Sequence, residues 1–250
     1  MNNNSQQKNV SIPNLIHLVS HQYSFMKKYR FTLLISSLFF LTFTACNNAP
    51  IGEKVVAKDA VVPTKTAITK YLSLPLNVNS CIINWQGTKK IGGGHKGIIF
   101  IKDGVALIKE GKLVGGKITI NMNSLIDSDL SAPEDKAELE EHLKSDDFFD
   151  VANYPAATFE ITKVMEDTAA GEGFIKITGN LTIKGIAKSI EIPARAGMRE
   201  GQFALKTSPF TINRTDWGIK FHSGLMGTPK DMIINDNIGL QIVLAAEMKE

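Results

Sequence analysis

The feature that most constrains this chain is a short alternation of apolar and polar residues, which recurs from about residue 118 to residue 244. A period of two puts one face of an extended strand in a core and leaves the other face in water. Turn-forming stretches separate these runs at residues 102–104, 110–112, 170–173, 184–185 and 199–201. The apolar positions are Ile118, Ile120, Met122, Phe159, Ile161, Leu181, Ile183, Ile190, Ile192, Ile238, Leu240, Ile242 and Leu244. Short strands joined by tight turns predict an antiparallel meander, and closure into a barrel would remove its exposed edges.

One segment departs from this pattern and predicts a helix. Residues 131–134 (SAPE) combine a capping serine, Ser131, with an early proline and an early acid, which are typical of a helix start. The helix should run through Leu139 and Leu143 to Lys144.

The first 45 residues have the organisation of a secretory signal peptide. A basic cluster at residues 27–30 (KKYR) precedes an apolar run at residues 31–41, and Ala45 stands directly before Cys46. The apolar run is shorter than the roughly 20 residues that a bilayer-spanning helix needs. Because a complete signal begins at Met26, that residue is a second candidate for the start of the chain.

The segment around Cys46 resembles the lipobox of bacterial lipoproteins, in which the cysteine carries a lipid. We expect Cys46 to be the lipid anchor; an ordinary secreted protein with a chance cysteine there is the alternative. Residues 46–69 show no sustained period and predict a lipidated tether, which leaves residues 70–250 as the folded domain. A lipoprotein of this kind belongs to the cell envelope of a Gram-negative bacterium. The residues after the anchor, Asn47 and Asn48, favour the periplasmic side of the outer membrane.

The net charge of +3 is concentrated near the amino terminus. Residues 1–45 contain four basic residues and no acidic residue, so +3 less these four charges leaves −1 for the rest. A nucleic-acid-binding protein needs clustered Lys and Arg to displace counterions from phosphates, so the sequence argues against a nucleic-acid partner. After lipidation and export, Cys81 would be left without a partner. It is then either a small buried residue or a thiol that slowly links two chains into a homodimer.

Most enzyme signatures are missing from the sequence. Ser223 lacks the preceding residues of a nucleophile elbow, and the glycine-rich run at residues 92–97 lacks the Gly-Lys-Ser/Thr of a phosphate-binding loop. That run predicts a mobile loop between strands. His95, His142 and His222 lack the close spacing of zinc ligands, so we predict neither a metal site nor a catalytic site. A metal site assembled from distant residues stays open as an alternative.

Several large apolar residues fall in segments that the pattern places in loops. They are Phe148, Phe149, Tyr154, Trp217, Phe221, Leu225 and Met226. Loops at the mouth of a barrel can line a ligand cavity, and as a group these residues favour a hydrophobic pocket or lid. The alternative is that they plug the end of the barrel as part of its core.

Four segments resemble motifs of the YceI-like family of lipid- and polyisoprenoid-binding proteins. They are residues 141–150 with 154–159 (EHLKSDDFFD and YPAATF), 179–188 (GNLTIKGIAK), 213–218 (NRTDWG), and 80–85 with 94–97 (SCIINW and GHKG). They occur in the family's order and span about residues 71–246. In two places the chain differs from many relatives: Leu139 stands where an Arg is common, and Asn121 where an Asp is common.

The resemblance implies an all-β fold, an antiparallel extended lipocalin-like barrel of about eight strands with one short helix in a long loop. It also implies an apolar channel with polar groups at one end. The residues placed at the polar end are His95, Arg214 and Asp216, and those placed along the channel or its entrance are Trp85, Phe148, Phe149, Phe159 and Trp217. The Leu139 departure removes a candidate phosphate partner and favours a neutral isoprenoid, quinone or fatty amide as ligand, with no other cofactor.

These expectations predict a membrane-tethered protein that carries or sequesters a long-chain isoprenoid or another amphiphilic lipid without chemistry. Tail length should dominate affinity, because burial contributes ~0.8 kcal/mol per methylene and a neutral head-group hydrogen bond only ~1 kcal/mol. A structural or stress-related envelope protein with a plugged barrel is one alternative. A lipid-modifying enzyme is another, and it would need His95 to pair with Asp216.

Overall fold

The computed structural model describes residues 49–62 and 71–248, all of them within the unit Cys46–Glu250. The predicted signal peptide, the anchor Cys46 and the end of the predicted tether lie outside the described residues. In the part described, α1 (Pro133–Lys144) has 12 residues, and no helix is long and apolar enough to span a membrane.

The described strands follow one another in a mostly antiparallel order. They are β1 (Glu53–Lys54), β2 (Lys58–Asp59), β3 (Leu72–Pro75), β4 (Ile82–Thr88), β5 (Gly94–Lys109), β6 (Lys112–Asn121), β7 (Ile126–Asp127), β8 (Ala156–Glu166), β9 (Phe174–Ile183), β10 (Ile186–Arg199), β11 (Gln202–Thr207), β12 (Phe210–Asn213) and β13 (Asn237–Glu247). Short 3-10 helices occur at Val78–Ser80, Met122–Ser124, Arg214–Trp217 and Gly224–Met226.

Eight of these strands close into a ring. Each strand pairs antiparallel with the next in the order β4, β5, β6, β8, β9, β10, β11, β13, and β13 pairs back with β4. The ring is not an even barrel, since β5 bends from its pairing with β4 to its pairing with β6. The predicted all-β antiparallel barrel of about eight strands with one short helix is confirmed.

The alternation in the sequence fixes which side chains fill the ring. On β6, Ile118 and Ile120 are about 5% exposed, and on β10 Ile190 and Ile192 are 2% exposed. Three hairpins turn through two residues with positive φ, as in Lys184-Gly185 (φ 49° and 73°). This backbone is that of the type I′ turn, whose twist matches the right-handed twist of paired strands. The turn predicted at residues 102–104 is wrong, because these residues lie inside β5 at a bulge that helps to bend the strand.

Residues 49–62 do not behave as a free tether. β1 pairs in parallel with β12, β2 pairs antiparallel with β10, and Val55 between them is only 7% exposed. Residues 49–62 are therefore part of the folded unit and not a tether to it, and the predicted domain start at residue 70 is too late. The segment lacks a periodic pattern because few of its side chains enter the core. Val55 is one of these few.

The N-cap of helix α1 lies one residue later than predicted. The N-cap is Ala132, which makes no side-chain capping bond, so the prediction of Ser131 as cap is wrong. The physical reason is Pro133: a residue before proline prefers extended backbone, and Ala132 (φ −77°, ψ 122°) adopts it. The predicted end at Lys144 agrees with the structure.

Candidate ligand cavity

A cavity of about 510 Å³ opens at the end of the ring where β4, β5, α1 and the chain before β13 meet. Its volume falls within the ~300–1,000 Å³ of small-molecule sites. Most of its wall is apolar or aromatic, and a few polar groups stand among these residues. The lining includes Trp85, Ile99, Leu125, Leu139, Leu143, Phe148, Phe149, Ile219, Phe221, Ile234 and Ile238, together with Thr88, Lys89, His95, His142, Arg214 and His222.

Two much smaller voids continue from this cavity into the ring. The first, of about 50 Å³, shares Ile99, Phe149 and Ile238 with the cavity. The second, of about 30 Å³, shares residues such as Phe159 and Ile242 with the first. The shared walls put the three spaces in series, so the ring is open at one end and almost filled by its own side chains farther in.

Four rings form one wall of the cavity. His142 of α1 makes edge-to-face contacts with Phe148 and Phe221, at 5.0 and 4.8 Å between centroids. Phe221 also lies 5.3 Å from Phe148 and stacks on His222 at 4.0 Å. Such pairs add to the burial of the rings, and they join the helix exit to the segment before β13.

The chain after α1 is held in a fixed path that presents its two phenylalanines. The N–H of Ser145 donates to the carbonyl oxygens of Glu141 and His142, and its hydroxyl donates to His142. The N–H of Phe149 then donates to the carbonyl of Leu143. Asp150 takes a positive φ of 49° and ends the turn. These bonds satisfy the open carbonyls of the helix end and direct Phe148 and Phe149 to the cavity.

Trp85 forms another part of the cavity wall. Its indole Nε1 donates to the carbonyl oxygen of Ile126 at 3.2 Å, which fixes the ring between β4 and β7. Gly97 on β5 makes this possible, because a Cβ there would lie 1.9 Å from that same carbonyl oxygen and 2.7 Å from the indole ring.

Arg214 shapes the cavity by holding the backbone around it. Its guanidinium donates to the carbonyl oxygens of Ile219, Ile234 and Asn235 at 3.1–3.2 Å, and it pairs with the Asp236 carboxylate at 3.2 Å. The residue is 2% exposed. Burial lowers the pKa of Arg214 from its ordinary value, and the Asp236 carboxylate opposes that shift. With these four acceptors engaged, Arg214 acts mainly as a clamp on residues 219–236.

The structure brings five of the predicted ligand-binding residues to the cavity: Trp85, His95, Phe148, Phe149 and Arg214. Phe159 lines the two deeper voids. Trp217 does not line the cavity: it is fully buried and donates from Nε1 to the carbonyl of Leu181. Asp216 is exposed and lies outside the cavity lining. The placement of these two residues was wrong, because the 3-10 turn Arg214–Trp217 points its successive side chains in different directions.

His95 has a different carboxylate neighbour from the one predicted. Its Nδ1 lies 3.5 Å from Oδ2 of Asp129, so the His95–Asp216 pair that an enzyme would need does not form. Burial would raise the pKa of Asp129, but the N–H of Lys96, which donates to its carboxylate, and the charge of His95 lower it, and the net shift is downward. Neither Asp127 nor Asp129 was singled out from the sequence. Two aspartates in a turn are common, and only the pairing of β5 with β7 brings them to His95.

Several cavity residues were not predicted as ligand-binding. Leu143 is predicted only as part of the helix, Leu139 only as a departure from the relatives, and Ile219 and Ile234 are not singled out by the sequence, yet all four line the cavity. A helical spacing of four residues between the two leucines was the available signal. Leu139 does face the cavity, so the residue at this position bears directly on what the cavity can hold.

Of the two alternatives for Cys81, a small buried residue or a thiol that links two chains, the structure supports the first. It is 2% exposed, and its Sγ contacts the backbone N and O of Ala245 at 3.3 and 3.5 Å. Burial raises the pKa of the Cys81 thiol, while the hydrogen bond with Ala245 lowers it, and the net shift is upward. A disulfide between folded chains at Cys81 would require the barrel to open.

A closed antiparallel ring of eight strands with an apolar cavity at one end defines a lipocalin-like barrel. The chain belongs to the YceI-like family: residues 73–246 match the YceI-like domain. This confirms the resemblance drawn from the sequence motifs.

Relatives in several bacteria share this domain. A UPF0312 protein of Shewanella denitrificans is 31% identical over 172 residues, which cover 61% of this chain and 84% of that protein. Protein YceI of Escherichia coli O157:H7 is 30% identical over 138 residues, 53% of this chain and 68% of the relative. A UPF0312 protein of Pseudomonas aeruginosa is 32% identical over 124 residues, 48% of this chain and 59% of the relative.

Solved structures of other proteins share the fold, and two of them illustrate it. BcnA of Burkholderia cenocepacia superposes with a TM-score of 0.51 at 18% identity, covering 68% of this chain and 99% of that one. A polyisoprenoid-binding domain of Saccharophagus degradans, described as implicated in plant cell wall breakdown, gives a TM-score of 0.51 at 16% identity. That match covers 72% of this chain and all of the other. At these identities the likeness concerns the fold.

Proposed function

We propose that this barrel binds a long-chain isoprenoid or another amphiphilic lipid and carries or sequesters it in the cell envelope without chemical change. The observation that carries the proposal is the apolar cavity of about 510 Å³ at one end of the ring. The family supports lipid binding in general, since one neighbour in fold is described as a polyisoprenoid-binding domain.

The shape of the cavity favours one orientation of the ligand. Its polar groups, among them Lys89, His95 and His222, suit a head group near the opening. The series of voids behind Phe149 and Ile238 offers a path for the tail. Each buried methylene contributes ~0.8 kcal/mol before the cost of ordering the chain, so the tail supplies most of the binding free energy.

A neutral head group suits the cavity better than a phosphate. Arg214 already has four protein acceptors, and Leu139 offers an apolar surface where a cation would assist an anion. Neutral isoprenoids, quinones and fatty amides are therefore the ligand classes we propose.

The place of action is proposed from the amino-terminal sequence. Lipidation of Cys46 would tether the barrel to the periplasmic side of the outer membrane, because two acyl chains give stable anchoring where one is marginal. A Cys46→Ser chain should then lose its partitioning into detergent, and unchanged partitioning would count against the anchor.

A barrel plugged by its own side chains is the second candidate, and the small size of the two inner voids favours it. Native mass spectrometry of the purified protein distinguishes the two. A lipid that copurifies, and that can be exchanged for an added isoprenol, supports the binding protein. A protein that stays empty in the presence of isoprenols of several lengths supports the plugged barrel.

A pair of variants makes the test specific to the cavity. Leu139→Trp puts a bulky ring into the cavity and should weaken isoprenol binding by about 10-fold or more, since it removes space that the tail would fill. Ala137→Trp adds the same ring to an exposed position of the same helix and should leave binding unchanged. Equal binding by both variants would place the ligand elsewhere.

A further inference from the structure

Three side chains that commonly bind metals meet beside the cavity. His95 is on β5, Asp127 is the last residue of β7, and Asp129 follows two residues later. One ligand atom from each lies within 4.8 Å of the others, and His95 Nδ1 is 3.5 Å from Asp129 Oδ2. β5 and β7 pair with Gly97 opposite Asp127, which places the three residues on one side of the pairing.

Backbone hydrogen bonds fix one oxygen of each carboxylate. Asp127 Oδ1 accepts from the N–H groups of Asp129 and Leu130 at 2.9 and 2.7 Å. Asp129 Oδ1 accepts from the N–H of Lys96 at 3.0 Å. Each carboxylate is thereby oriented by one oxygen, and its other oxygen, Oδ2, is available to a ligand. Such outer contacts are the usual support of a metal site.

The second carboxylate oxygen of Asp127 gives evidence for a bound ligand that is independent of the spacing of the three side chains. Asp127 is 1% exposed, and among the described residues its buried Oδ2 has no hydrogen-bond partner. The same holds for the buried Nδ1 of His95. Buried polar atoms are nearly always paired, and a buried carboxylate beside a second carboxylate is costly without a positive partner. One cation would satisfy both atoms.

We propose that His95, Asp127 and Asp129 bind a divalent transition-metal ion of the zinc type at the rim of the cavity. An imidazole nitrogen with two carboxylates suits Zn²⁺ better than Mg²⁺ or Ca²⁺, which prefer all-oxygen sites. At metal–ligand distances of ~2.0–2.2 Å, two ligands of a tetrahedral ion lie ~3.4 Å apart, close to the His95–Asp129 separation. Three protein ligands leave the fourth position for water.

Binding requires only a small local movement. The widest separation among the three ligand atoms can be as much as 4.8 Å, so some contraction of about 1 Å accompanies binding. Asp129 lies in an exposed turn and can supply it, whereas Asp127 is held by its two backbone bonds and by its own N–H, which donates to Glu140 Oε1. The site does not depend on lipid binding and is tested with the metal ion alone.

The test is a zinc titration of the whole chain, purified with a tag free of histidine and stripped with EDTA. We expect saturable binding, measured by competition with a chromophoric chelator, and Co²⁺ should give the absorption of a four-coordinate ion. Asp127→Asn keeps the oxygen that accepts the two N–H bonds but removes the charge, so it should fold and bind Zn²⁺ at least ~10-fold more weakly. His95→Ala should lose one equivalent of the four-coordinate Co²⁺ absorption.

Asp103→Asn is the matched control, since Asp103 is an exposed aspartate in the bulge of β5. It should bind Zn²⁺ as the original chain does. His17 and His21 are spaced four residues apart and could bind zinc themselves. The decisive quantity is therefore the difference in Zn²⁺ bound per chain between the original chain and His95→Ala. Equal stoichiometry and affinity in the original chain, Asp127→Asn and His95→Ala would overturn the proposal, as would the absence of saturable binding.

Discussion

At the scale of single residues, Arg214 stands in a motif that suggests ligand binding, but its role in the fold is structural. Its sequence context, NRTDWG, resembles a family motif and suggested a contact with the ligand's head group. In the fold its donors engage three carbonyls and the Asp236 carboxylate. A buried guanidinium needs all of these acceptors, because an unpaired buried charge is far more costly than an exposed one.

Arg214→Met should therefore lower the free energy of unfolding by about 3 kcal/mol, since it leaves three carbonyls and a carboxylate without their donor. Arg199→Met is the control, because Arg199 is exposed and forms its ion pair with the adjacent, likewise exposed Glu200. It should cost no more than about 0.5 kcal/mol. Urea unfolding followed by tryptophan fluorescence measures both, and equal costs would refute the clamp.

The buried thiol gives a second prediction at this scale. In a Cys46→Ser chain, Cys81 is the remaining cysteine, and its pKa is raised by burial. Its thiolate fraction is thus lower in the folded chain than in the unfolded chain at any pH below the raised pKa. Alkylation by iodoacetamide at pH 8 should be on the order of 100-fold slower in native buffer than in guanidinium, because the thiol reacts only when the barrel opens. Comparable rates would mean that Cys81 is accessible in the folded chain.

At the scale of elements, the approach of β4, β5 and β7 depends on a residue without a side chain. Gly97 lies against the Ile126 carbonyl and the Trp85 ring, and both contacts are closer than a Cβ allows. This close approach positions Trp85 as a cavity wall and brings β7, with Asp127, to β5.

Gly97→Ala should lower the free energy of unfolding by about 1–3 kcal/mol, because the new methyl group forces β5 away from β7. The tryptophan emission should shift as Trp85 moves. Gly197→Ala is the control in β10, where a Cβ would meet no atom within 4 Å. A Gly97→Ala chain as stable as Gly197→Ala would show that the contact is not required.

The segment that precedes the ring is an element in its own right. Val55 and Val56 are neighbours, with 7% and 65% of their surfaces exposed. Val55→Ala should lower the free energy of unfolding by about 1–2 kcal/mol, since it removes two buried methyl groups. Val56→Ala should change it by less than about 0.5 kcal/mol. Equal effects in thermal or urea unfolding would indicate that β1 does not pack on β12 in solution.

At the scale of the whole molecule, the series of one cavity and two voids governs how long a tail the barrel can accept. Phe149 stands between the cavity and the first void, because it lines both. A tail that reaches farther inward must displace this ring or move past it. Protein interiors resist such movement, since close-packed side chains shift between discrete rotamers.

Phe149→Ala should join the cavity to the first void and move the preferred isoprenol to a longer chain, as measured by native mass spectrometry across a length series. The substitution also costs stability, about 3 kcal/mol in the absence of ligand, and a bound tail should recover part of that loss. Phe174→Ala is the control, because Phe174 is 36% exposed at the start of β9. An unchanged length preference in Phe149→Ala would contradict the serial arrangement.

The sequence by itself determined the class of fold and which residues fill the ring. Period-two alternation specifies which face of each strand is buried, and the two-residue turns specify antiparallel neighbours, so Ile118, Ile190 and their partners were placed correctly. These are local properties of the chain, readable without knowing the partners of each strand. The family motifs added the helix exit, which is local as well.

Only the tertiary structure decided which polar groups meet. Asp216 and Trp217 lie only two and three positions after Arg214, yet they point to solvent and to the core, since a 3-10 turn rotates each successive side chain. Asp127 and Asp129 meet His95 because β7 pairs with β5, a contact between residues 28 and 30 positions apart. Strand pairing over such distances depends on the closure of the whole ring, and no local pattern encodes it. Local sequence thus fixes the faces of the strands, and ring closure fixes the site.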